Sequence, residues 1–132
     1  MELYIVSELQ GEVLVVTAKG PLSLGSALSL LKQICDTAAE NQVGKIFVDS
    51  LAVEGELAPF ERYRLGTELA EYLIQSQIRV KLALVGKPPV LNGFGARIAR
   101  NRGISANVFP SHQEALSWLD LPDTGDLASA VS

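Results

Sequence analysis

Between Tyr4 and Leu119 the apolar residues change their spacing repeatedly, from short continuous runs to steps of three and four and back. That alternation restricts the chain to folds in which helices cross between strands. Tyr4 to Leu9 and Val13 to Ala18 flank Gln10-Gly11 and read as an antiparallel hairpin. From Ala27 the period is helical: Ala27, Leu28, Leu31, Ile34, Cys35 and Ala38 fall on one side, with Lys32, Gln33, Asp36 and Glu40 on the other. This helix is expected to begin near Ser23 or Ser26 and to end before Gly44. Lys45 to Val48, closed by Asp49, is short and β-branched, as a buried strand is.

The second half repeats the scheme. Pro59 suits the first position of a second helix, whose seam is Leu65, Leu69, Ala70 and Leu73; Glu61, Arg62, Arg64, Glu68 and Glu71 read as its solvated face. Val80 to Val85 is a second buried strand. Leu91, Phe94, Gly95, Ile98 and Ala99 predict a third helix with Arg97, Arg100 and Arg102 outside it, and Asn107 to Phe109 a brief strand. Ser111 with Glu114 three residues later is a capping box for a last helix carrying Ala115, Leu116 and Leu119. The order β-β-α-β-α-β-α-β-α predicts a single α/β domain over residues 1–121, with a mixed, largely parallel sheet. Residues 122–132 lose apolar periodicity and are expected to form a disordered tail.

Composition excludes more than it assigns. The chain has 132 residues, room for one domain, and a net charge of -4, the wrong sign for holding nucleic acid by its overall field. One Cys, one His, one Trp and one Met provide no set for a Cys/His metal site or a disulfide framework. Gly86-Lys87 lacks the spacing of a phosphate-binding loop, and Gly93-Phe94-Gly95 lacks the third glycine of a dinucleotide fingerprint, so no cofactor is expected. Charged or amide side chains interrupt every apolar run before bilayer length, and Glu2, Ser7, Glu8 and Glu12 break up the start, so no membrane span is expected and the expected location is cytoplasmic. Cys35, inside an apolar stretch, reads as a small buried hydrophobe.

The element order, together with IFVD at 46–49, GELAPFERYRLGTELA at 55–70, GFGARIARNRG at 93–103 and VFPSHQEALSWL at 108–119, resembles the STAS domain (sulfate transporter and anti-sigma-factor antagonist), in its small SpoIIAA-like or STAS/SEC14-like bacterial form. The resemblance implies that fold and a regulatory, protein-binding role. Family members that act as anti-sigma antagonists carry a phosphorylatable Ser at the start of the helix after the third strand. Here that stretch is Val53-Glu54-Gly55-Glu56-Leu57-Ala58-Pro59, without a hydroxyl; the nearest serine is Ser50. Glu54 and Glu56 place fixed negative charge near that helix start instead.

Ligands of open α/β sheets gather at the carboxyl ends of parallel strands. The loops there supply Asp49, Ser50, Glu54, Glu56, Lys87 and Asn92, and the adjoining helix Arg62. Asp49 and Lys87 are expected to pair or to share a polar ligand. Asn92 can cap the third helix, and Arg97 with Arg100, three apart, can hold a carboxylate, a phosphate or an acidic partner. His112 stands without a second base, and Trp118 and Tyr63 read as packing residues. Three functions follow in order of preference: a non-catalytic interaction module that binds a protein partner or a second copy as a homodimer; a carrier of a small apolar or lipid-like ligand, as the SEC14-like side of the resemblance implies; and an enzyme using Asp49 or a loop Glu as base.

Overall fold

The computed structural model describes residues 2–121; the expected tail lies outside them. Strands β1 (Tyr4–Gln10) and β2 (Val13–Pro21) form the hairpin, and α1 (Leu24–Glu40), β3 (Lys45–Glu54), α2 (Pro59–Gln75) and β4 (Lys81–Val85) follow. Then come α3 (Phe94–Asn101), β5 (Ser105–Phe109) and α4 (His112–Trp118). The five strands lie side by side in chain order. β1 runs antiparallel to β2, and the pairs β2/β3, β3/β4 and β4/β5 are parallel, as the helical crossovers require.

Alternation of side chains along the strands sorts the core into two layers. Leu14, Val16, Ile46, Val48 and Leu82 face α1, α2 and α3, which contribute Ile34, Cys35, Leu69, Leu73 and Ala99. Val13, Val15, Phe47, Ala83 and Val85 face the opposite way, where α4 supplies Ala115 and Leu116 and Leu119 follows it. The helix starts obey the expected chemistry. Ser23 Oγ accepts from Ser26 N–H and Ser111 Oγ from Glu114 N–H, each at 3.3 Å, while Ala58 N–H donates to the Glu61 carboxylate at 2.8 Å. At the α1–α2 contact the Tyr72 hydroxyl donates to Asp36 Oδ1 at 2.5 Å, and this bond holds the phenol protonated above its ordinary range.

Three departures from the sequence reading position the site. First, β3 continues to Glu54 rather than ending at Val48. β2 also runs on to Pro21 and, past an irregularity after Thr17, pairs Lys19 with Ala52 and Gly20 with Val53. The Leu22 N–H then donates to Glu54 O at 2.8 Å. Second, α3 begins at Phe94, because Gly93 takes φ 84° and Asn92 Oδ1 accepts the Phe94 N–H at 3.0 Å. Third, Arg62 is buried. It heads the inward stripe Arg62, Gly66, Leu69, Ala70 and Leu73, so it is no part of a solvated face.

Candidate functional site

Arg62 reaches from the first turn of α2 into the gap between that helix and the β4–α3 loop. Nε donates to Leu57 O at 2.9 Å, NH2 to Pro89 O at 2.6 Å, and NH1 to Val90 O and Asn92 Oδ1 at 3.3 Å each. One guanidinium thus ties the loop before α2 to the loop before α3. A glycine contact one turn further on makes that approach close: a Cβ on Gly66 would stand 2.5 Å from Gly95 O.

Arg62, Asn92 and Gly93 are walls of two concavities at once. Behind the helices lies a cavity of about 110 Å³, lined by Leu, Ile, Val and Ala side chains, with Ser50, Arg62 and Asn92 as its polar members. Outward lies an open groove of about 550 Å³ that adds Arg97, Arg100 and Asn107. Arg100 NH1 donates to Ala106 O at 2.9 Å and to Asn107 Oδ1 at 3.1 Å, while Arg97 lies over the Phe94 ring at 5.5 Å. Of the residues selected from sequence, Arg62, Asn92, Arg97 and Arg100 therefore meet in one place.

The other candidates separate from this group. Asp49 faces the opposite side of the sheet: its Oδ2 meets His112 Nε2 at 2.8 Å and its Oδ1 accepts the Leu51 N–H at 2.9 Å. The expected Asp49–Lys87 pair does not form; Lys87 is exposed, without a side-chain partner among the described residues. Sequence reading missed His112 as the partner of Asp49 because α4 brings it across from 63 residues away. Phe47 meets the His112 ring edge-on at 5.5 Å, and among the described residues no hydroxyl or thiol hydrogen-bonds to His112. This arrangement fits an anchor for α4 better than a catalytic base.

Glu54 and Glu56 are exposed, at the end of β3 and in the loop after it. In the same stretch of chain Leu51 is 49% exposed, Phe60 65% and Tyr63 46%, so Tyr63 is not the packing residue the sequence suggested. Its hydroxyl accepts from Arg102 NH2 at 3.4 Å. Trp118 does pack, against Phe109 and under the Lys81 ammonium. Cys35 is fully enclosed, and burial, with the neighbouring Asp36 charge adding to it, pushes its thiol up to about 12. Among the described residues no group of three His, Cys, Asp or Glu could hold a metal, and no helix is long and apolar enough to cross a membrane.

One antiparallel hairpin, three parallel crossovers on one face and a last helix on the other define a SpoIIAA-like, or STAS-like, α/β fold. Among solved structures, an anti-sigma factor antagonist from Mycobacterium paratuberculosis matches with a TM-score of 0.55 at 15% identity, over 90% of this chain and 95% of that one. An uncharacterised protein with a SpoIIAA-like fold from Shewanella loihica matches with a TM-score of 0.48 at 19% identity, over 89% of this chain and 93% of that one. No protein-family model matches the sequence, and no curated protein matches it.

Proposed function

We propose that this protein is a non-catalytic regulatory module that binds a protein partner through the segment from Leu51 to Tyr63. One observation carries the reading: that segment exposes Leu51, Phe60 and Tyr63 as well as Glu54 and Glu56. Exposed aromatic side chains with a charged rim have the composition of an interface core awaiting its partner. The complementary surface would offer an apolar pocket flanked by basic residues. The shared fold with an anti-sigma factor antagonist supports a regulatory role of this kind.

A phosphoserine switch at the start of α2 has no place in this reading. Residues 53–59 carry no hydroxyl, and Ser50 is buried in the cavity wall. The surface is constitutive in this reading; stoichiometric phosphate on Ser50 in protein from its native cells would contradict that. Replacing Glu54→Lys together with Glu56→Lys reverses the rim charge without touching the core. Partner capture should then be lost while the melting temperature stays the same; unchanged capture removes this surface from consideration.

The apolar cavity favours a second reading, a carrier of a small apolar or lipid-like ligand, because a cavity behind the helices is what that function requires. A homodimer would have its own surface in edge strand β1, where Tyr4, Val6 and Leu9 are exposed.

A further inference from the structure

Arg62 is a buried cation without an anion. It is 7% exposed, and its partners are three backbone carbonyls and an amide oxygen. Among the described residues no carboxylate lies within ion-pair reach of it. Taking a guanidinium out of water is costly, and neutral dipoles offset that cost only in part. Its hydrogen bonds engage four of the five N–H groups of the fork, which leaves one to donate. The groove on its outer side adds Arg97 and Arg100 and has no acidic residue in its lining. Three arginines and two asparagines around one groove form a site that selects negative charge.

On its inner side the same residue lines an apolar cavity of about 110 Å³. A water needs only roughly 10–15 Å³ of such space, but it also needs two or more polar partners, which these walls scarcely supply. Walls this apolar suit an apolar guest better than ordered water. Resting on the carrier reading, we infer that the protein binds a single-chain amphiphile with an anionic head, a carboxylate or a phosphate. The alkyl chain occupies the cavity and the head lies in the groove against Arg62, with Arg97 and Arg100 completing the field. Arg62 is then both the brace between two loops and the residue that reads the head group.

Calorimetric titration of the full chain with octanoate, octyl phosphate, 1-octanol and octyltrimethylammonium, all below micelle formation, tests this. At least one anion should bind tenfold or more tightly than octanol, with the cation weakest; the tighter anion names the head. Arg62→Met should bring the anion to the level of octanol while octanol binding persists. Because Arg62 also braces the loops, Arg97→Gln with Arg100→Gln provides a second test on exposed positions: anion affinity should fall severalfold and octanol affinity should hold. Equal binding of anion and octanol by the unmodified protein, or anion affinity untouched in both variants, would overturn the anionic head and leave the carrier reading in place. No binding of any of the four would overturn both.

Discussion

His112 Nε2 and Asp49 Oδ2 stand 2.8 Å apart and join the first residue of α4 to the middle of β3. Asp49 is 6% exposed and also accepts the Leu51 N–H, so its carboxylate ties the middle of β3 to the start of α4. Residues in direct contact within one network usually couple by about 0.5–3 kcal/mol. A double-mutant cycle with Asp49→Asn and His112→Gln should return a coupling in that range from chemical unfolding. A coupling below ~0.3 kcal/mol, the usual scatter of additive pairs, would show that α4 is held by its apolar face alone.

The crossing of α2 and α3 depends on two glycines. A methyl group on Gly66 would meet Gly95 O at 2.5 Å, and the obstacle is backbone that cannot swing aside. Gly66→Ala should therefore destabilise the protein by about 1–3 kcal/mol, although alanine is ordinarily the better helix former. Unchanged or raised stability would contradict the close approach, and with it the geometry that sets Arg62 against the α3 loop.

Cys35 gives a prediction in pH. Its thiol is raised from 9.0 to about 12, by burial first and the Asp36 charge second. The unfolded chain releases this proton at lower pH than the folded chain, so stability from this residue is fully present below 9.0 and declines as pH rises toward about 12. Cys35→Ala should flatten that alkaline decline. A disulfide reagent should label the native protein only at the rate of unfolding, and fast labelling of folded protein at neutral pH would contradict the burial.

How far the sequence could be read depends on the range of the interaction. Strand and helix identity came from local periodicity, and the hairpin, the parallel order and the two serine caps follow from it. The length of β3 did not, because Asp49, Ser50 and Glu54 look like a loop until β2 is known to continue beside them. The burial of Arg62 escaped because the stripe passes through Gly66, whose missing side chain makes the apolar seam appear to start at Leu65. Asp49–His112 is a contact on the face opposite α1, α2 and α3, and no spacing rule reaches across 63 residues. Arg62, Asn92, Arg97 and Arg100 could be chosen one by one from residue type, but only the α2–α3 crossing shows that they form one groove.

The most direct test of the proposed interface is to replace Phe60 by a photo-crosslinking phenylalanine analogue in the native cells, with the same replacement at Ile74 near the far end of α2 as control; both positions are well exposed. Position 60 should give one discrete protein adduct, lost when Glu54→Lys and Glu56→Lys are added, and position 74 none. An absent adduct at position 60, or the same adducts from both positions, would contradict it.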